Sequence, residues 1–383
     1  MAKEDCDVAI AGGGLAGGLI ALALAARRPE LRVTLVEPGA IGGNHVWSFF
    51  DSDVPDDARA LLEPLIAHRW PGYDVAFPAH RRTIGEGYAS IDSERLDAAV
   101  RATGARVVAQ AAATVAPTRI ILADQSRLDA AAVIDARGPG DLALLGCGWQ
   151  KFVGRELVTA RPHGIERPVV MDATVDQIDG YRFVYCLPFS DTHMLVEDTY
   201  YSDTPELDVA AIRGRIDAYA AARGWQAADV GREETGVLPV VIDGDHAAYW
   251  DSTGADTAKA GARAGLFHPT TGYSLPDAVD FALKVAALER FDGAALARLA
   301  REHAAARWRE RGFYRMLDIM LFRAARPEER YRIMQRFYRL DAHLIARFYA
   351  ARSTPYDKLR ILSGKPPIPI PRALGAILRT WTQ

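Results

Sequence analysis

No feature of the chain restricts its fold more than the six residues Gly12-Gly13-Gly14-Leu15-Ala16-Gly17. They follow Asp7-Val8-Ala9-Ile10-Ala11, which reads as a buried strand, and lead into a helix expected from Leu19 to Arg27. A second strand, RVTLVE, ends in Glu37, twenty residues beyond Gly17. Strand, glycine turn, helix, strand and acid form the order of a dinucleotide-binding βαβ unit. Without side chains at Gly12, Gly13, Gly14 and Gly17, backbone N–H groups can approach a pyrophosphate at the positive end of a helix, while Glu37 accepts from a ribose hydroxyl. Residues 8–26 carry no charge and could pass for a membrane span. Their glycines argue for the turn instead. The unit alone leaves NAD and FAD both open.

Further pieces of a cofactor site are spread along the chain. Gly42-Gly43 suits a loop passing close to a ring system, with His45 and Trp47 beside it. Arg95, near the first turn of an amphipathic helix opened by Ser93-Glu94, could reach a second phosphate or simply face solvent. AAAVIDARG (130–138) reads as another strand of the same sheet. Gly265, Pro269, Thr271 and Gly272 precede a helix beginning near Leu275, whose free N–H groups favour electron-rich oxygens. The spread implies a discontinuous cofactor domain (1–57, 92–150 and 250–300) interrupted by a substrate domain (58–91 and 151–249). Within that insert, RPVVMDATVD, YRFVYCLPFS and THMLVEDTYY are apolar runs between turn residues, as antiparallel strands require.

Composition narrows the class of partner. A formal charge of −3 over 383 residues, 49% of them hydrophobic, describes a globular protein with a large core and disfavours nucleic acid. Cys6, Cys147 and Cys186 are too scattered for a zinc site and suit a reducing compartment, and MAKEDCD lacks a secretory signal pattern, so residence in the cytoplasm is expected. Residues 301–383 are expected to be helical. Within 301–352 there are thirteen arginines, no lysine and nine aromatic rings between Trp308 and Tyr349. Core packing explains Ile333, Met334, Phe337 and Tyr338, and docking on an anionic membrane surface is the sharper alternative. The tail KPPIPIPRALGAIL (365–378) adds a short apolar helix that could lie in an interface.

VEDTYY (196–201) raises a separate question, because it sets Glu197 and Asp198 at what reads as the end of a buried strand. On a regular strand the two point to opposite faces, so one of them should face a pocket. Taken together, GGGLAGGLIAL, GGNHVWSF, MDATVDQIDGYRFVY, LVEDTYY, GLFHPTTGYSLP and LRILSGKPPIP resemble the bacterial lycopene β-cyclase family from about Val8 to past Ile370. Flavin monooxygenases of similar fold carry a Gly-Asp pair where this chain reads Ala264-Gly265-Leu266-Phe267-His268; the cyclase family shares the departure.

The resemblance implies an α/β flavoprotein with a Rossmann-type, glutathione-reductase-like FAD-binding domain, an inserted antiparallel-sheet substrate domain and a helical C-terminal region at the membrane surface. It implies reduced FAD as the active cofactor, NADPH or NADH as reductant only, and lycopene or related acyclic carotenoids as substrate. Ring closure needs a proton on the terminal alkene, attack by a neighbouring double bond and loss of a ring proton. Glu197 matches the family's essential glutamate, with Asp198 second, and burial would keep such an acid protonated near neutrality. Tyr200, Tyr201 and Trp47 are candidates to stabilise the cation. Whether reduced flavin or Glu197 delivers the proton stays open at this level. So do a redox flavoenzyme and a passive carotenoid carrier.

Overall fold

The computed structural model describes residues 5–381. Strands Arg106–Val108, Val33–Val36, Cys6–Ala11 and Arg127–Asp135 lie side by side and parallel in that order. The sheet continues through an antiparallel pair, Arg119–Leu122 and Ala112–Ala116, while the short strand Ala258–Lys259 pairs parallel with Arg127–Asp135. Near-continuous apolar strands buried on both faces are what a parallel sheet demands. The helix after the glycine turn starts earlier than the sequence suggests, at Leu15, and runs to Arg27. Its small residues let it pack against helix Leu275–Ala286, which begins where expected.

A second sheet runs in the order Ala227–Gly244, Leu145–Thr159, His193–Ser202, Tyr181–Pro188, Val169–Asp172, Tyr73–Phe77 and His80–Ile84. It is antiparallel apart from the parallel pairing of Val169–Asp172 with Tyr73–Phe77. Val46–Phe50, Tyr88–Asp92 and Ile66–Trp70 form a small third sheet. VEDTYY does close strand His193–Ser202, but Glu197 and Asp198 stand in its middle rather than at its end, with Met194 through Ser202 all buried. The strand is covered on both sides. Met194, Val196 and Tyr200 pack towards Ile212 and Ile216 of helix Val209–Ala222, and Leu195 and Tyr201 join the larger core on the opposite face.

The arginine- and aromatic-rich region is helical, comprising Gly293–Glu310, Gly312–Ile319, Tyr331–Phe337 and Ala342–Tyr349. Its rings belong to the core: Tyr314, Phe322, Phe337, Tyr338, Phe348 and Tyr349 are buried in the same cluster as Tyr181 and Tyr201 of the second sheet. Several of its arginines are internal clamps. Arg311 forms a bidentate pair with Asp277, each N···O 2.7 Å, and donates to the Phe267 carbonyl. Arg330 is fully buried, donating to the carbonyls of Tyr201, Leu321 and Phe322 and to Asp203. Such planar, multiply bonded guanidiniums tie these helices to helix Leu275–Ala286 and to strand His193–Ser202 in a way lysine cannot. For the rings of 301–352 the structure therefore favours the core-packing reading, since these helices share one buried cluster with the second sheet.

Exposed apolar side chains occur instead beyond that region. Helix Ile370–Trp381 exposes Ile370, Leu374 and Leu378 at a spacing of four, and helix Pro355–Leu362 exposes Tyr356, Leu359 and Leu362. Among the described residues no helix is long and apolar enough to cross a membrane.

Candidate active site

The glycine turn is built for a close approach from outside. Gly12 has φ +102°, and a Cβ there would sit 2.7 Å from the backbone of Ala136 and Arg137. A Cβ on Gly17 would lie 1.9 Å from the Gly12 carbonyl oxygen, so this glycine seats the helix on the turn. Gly14 is different: nothing stands within 4 Å of where its Cβ would be, and it caps the helix with no side-chain hydrogen bond. Open space at a helix N-terminus fits an anion such as a pyrophosphate. Glu37 follows the second strand directly, and its carboxylate accepts from Gly13 N at 2.8 Å and Gly39 N at 3.0 Å. Arg95 is exposed on the first turn of helix Ser93–Ala102. The next residue, Leu96, packs over Gly18, whose N–H bonds to the Gly14 carbonyl, so Arg95 stands at the same end of the glycine-turn helix. These residues fit the diphosphate and ribose of a dinucleotide.

A separate cavity of about 260 Å³ opens over the second sheet. Its walls include Trp47, Phe183, Tyr185, Tyr201, Tyr273 and Tyr349, and Glu197 and Glu234 face into it. Thr271 and Gly272 also line it; Asp198, Gly265 and Pro269 do not. Gly265, φ +69°, closes a short helical turn against His246 and Tyr249. Pro269 is buried within the loop that His268 organises. His268 Nδ1 accepts from the N–H groups of Thr270 and Thr271, while Nε2 donates to the Phe348 carbonyl. Burial and the charge of Arg311 push His268 down to about 3, so the ring is neutral and its single proton sits on Nε2. The neutral ring thereby sets Thr271 and Gly272 at the cavity edge.

Strand alternation separates the two acids of VEDTYY. Asp198 lies on the helix-covered face, where Arg182 binds it through Nε at 2.8 Å and Nη2 at 3.0 Å and Tyr200 donates to it at 2.7 Å. That carboxylate is held as an ion pair away from the cavity, which removes it as a proton donor there. Tyr200 is turned away with it, whereas Tyr201 and Trp47 do line the cavity. Glu197 is buried, accepts from Thr199 Oγ1 at 2.5 Å and is pushed up to about 8, first by burial and then by the charge of Glu234. Burial beside Glu234 in an aromatic cavity thus favours its neutral, proton-bearing form.

Glu234 was not visible to sequence reasoning as a site residue. Gly154 on strand Leu145–Thr159 pairs with Glu197 on one side and Glu234 on the other, so both carboxylic side chains rise on the face where Gly154 has none. A Cβ on Gly154 would lie 3.3 Å from Glu234 Cγ and 3.6 Å from Glu197 Cβ. The only available signal was a second acid pair, Glu233-Glu234, leading into the apolar run VLPVV.

The parallel sheet with its glycine turn, joined to an antiparallel sheet roofed by helices, is the fold of the Rossmann-type FAD-binding class. The chain is similar over 98% of its length, and 99% of the other chain, to the solved structure of a geranylgeranyl bacteriochlorophyll reductase-like protein from Thermoplasma acidophilum (TM-score 0.65, 15% identity). A halogenase solved in complex with FAD shares the fold at TM-score 0.60 and 13% identity, covering 98% of this chain and 96% of that one. Within that class the chain belongs to the lycopene cyclase family, whose profile, described as lycopene cyclase protein, matches residues 7–375. It is 46% identical over 376 residues to a lycopene beta-cyclase of Pseudescherichia vulneris, covering 97% of each chain.

Proposed function

We propose that this chain is a lycopene β-cyclase, an enzyme that closes the acyclic ends of lycopene into β-ionone rings without net oxidation, giving γ-carotene and then β-carotene. Family membership supports the reaction class, and one observation carries the chemistry: a buried carboxylic acid, Glu197, facing an aromatic cavity where burial favours its protonated form. Glu197 donates its proton to the terminal alkene. The rings of Trp47, Tyr185, Tyr201, Tyr273 and Tyr349 face the resulting cation with their π surfaces, each contributing about 1–2 kcal/mol where water is excluded. Hydrogen bonds hold the tyrosine rings in place, with Tyr185 bonded to Tyr88 at 2.9 Å and Tyr201 donating to the Thr270 carbonyl at 3.0 Å.

FAD, reduced by NADPH or NADH, would supply electron density that stabilises the cationic transition state. Gly12, Gly13, Gly14, Gly17, Glu37 and Arg95 would hold its dinucleotide portion, with the 265–272 loop towards its ring. This assignment corresponds to a discontinuous cofactor domain of 1–57, 92–150 and 250–300 and a substrate domain of 58–91 and 151–249. The exposed apolar faces of helices Pro355–Leu362 and Ile370–Trp381, flanked by Lys358, Arg360, Lys365, Arg372 and Arg379, suit shallow docking on an anionic bilayer where lycopene dissolves. We place the enzyme in the cytoplasm, peripheral to that membrane.

Incubation with lycopene in liposomes, FAD and NADPH without oxygen tests the reading. Unchanged product mass with a blue-shifted absorption spectrum is expected. A gain of hydrogen or oxygen would make the chain a redox enzyme, and unaltered polyene would make it a carrier.

A further inference from the structure

Ring closure needs a base as well as an acid, because the proton added at the terminal alkene is balanced by one lost from the ring. Besides Glu197, Glu234 is the other carboxylic acid lining the cavity. It is buried, with 5% exposure, and it reaches the cavity from the strand on the far side of Gly154. Its Oε2 accepts from Val46 N at 3.4 Å and lies 3.5 Å from Nδ1 of His45, whose side chain is 48% exposed. Two acids rise over one glycine, and a half-exposed histidine stands behind the second, so that Glu197, Glu234 and His45 follow one another from the cavity towards solvent. Nothing in packing calls for this arrangement, since burying two carboxylic groups side by side costs desolvation and repulsion.

We propose that Glu234 is the base that takes the ring proton, working as a pair with Glu197. The proposal rests on the cyclase reading. Glu197 gives its proton to the terminal alkene carbon. The electron pair of the neighbouring double bond forms the ring bond at its hydrogen-bearing carbon, leaving a cation on the adjacent carbon. The C–H bond at the newly bonded carbon then breaks, its electrons restore the ring double bond, and its proton goes to the Glu234 carboxylate. Transfer of that proton to the Glu197 carboxylate across the Gly154 gap resets the pair, so each ring closes with no net proton uptake. His45 exchanges the shared proton with solvent. Facing groups include Thr199 on Glu197, His45 on Glu234, and Tyr185, which is directly paired with Glu197 on the next strand. Asp198 and Arg182 lie on the other face of the sheet.

The test compares E234Q and E234D with the unaltered chain, each loaded with reduced FAD and given lycopene in liposomes without oxygen. Rate, flavin content and the position of the ring double bond are measured. E234Q is expected to close rings at least ~100-fold more slowly, as loss of a general base does, and to yield rings whose double bond has formed towards another adjacent carbon. E234D, retaining a carboxylate, is expected to recover β-rings and part of the rate. An E234Q rate within about threefold of the unaltered chain, with β-rings only, would overturn the proposal. So would an E234D as slow as E234Q with both giving β-rings only, which marks a packing role. An unaltered chain that forms no ring refutes the cyclase reading itself, whereas β-rings formed at similar rates by the unaltered chain and by E234Q refute only the base assignment.

Discussion

Replacing Glu197 by Gln is expected to trade activity for stability at alkaline pH. Gln keeps the shape and can still accept from Thr199, but it carries no acidic proton; ring closure should fall by about 10²–10⁴ or more. The stability effect follows from the raised pKa. Glu197 sits at an ordinary 4.5 in the unfolded chain and at about 8 in the folded one. The folded state therefore holds the proton more tightly, a contribution fully present below pH 4.5 and lost as pH rises through 8. Between pH 6 and pH 9 the loss is on the order of 2 kcal/mol. Gln does not titrate, so the variant should escape it. Urea unfolding of the flavin-loaded protein at pH 6 and pH 9 would read the difference, alongside the rate of ring closure, which in the unaltered chain should drop roughly tenfold from pH 7 to pH 9 as the acid form is depleted. An E197Q protein that loses stability with pH as steeply as the unaltered chain, or that still closes rings, would refute the picture of a buried protonated donor.

The two acids of VEDTYY should separate cleanly by mutation. D198N leaves Arg182 buried without its counter-charge and should destabilise by about 3–5 kcal/mol in denaturant unfolding, while flavin-loaded protein that remains folded keeps ring-closing activity. The glycines of the turn should separate too: G14V is expected to fold and lose flavin on gel filtration, whereas G17V, colliding with the Gly12 carbonyl, should lower the thermal midpoint even without flavin. Changing Leu374 and Leu378 to Asp should abolish co-flotation with anionic vesicles without altering the circular dichroism spectrum; vesicle binding that survives would take the last helix out of the docking surface.

Much of the cofactor end was legible because its determinants are local. A strand, a run of glycines, a helix and an acid at fixed spacing specify the βαβ turn within forty residues, and Gly14 and Glu37 stand where that spacing puts them. The alternation rule also foretold that Glu197 and Asp198 diverge. It could not say which faced the cavity, since that depends on helix Val209–Ala222 covering one side. The arginine-rich helices left two readings open for a related reason: an aromatic and cationic stripe reads alike whether it meets lipid or a protein core, and only the buried partners of Arg311 and Arg330 favour the second.

What the sequence by itself determined is thus the glycine turn, the order of strands and helices and the family to which those strings belong, all set by short-range spacing. Only the tertiary structure brings together the two acids proposed to act as a pair. Glu197 and Glu234 are far apart in the chain and meet because two strands flank Gly154, whose missing side chain leaves room for both carboxylic groups; pairing register across a sheet is a long-range property that no local pattern encodes.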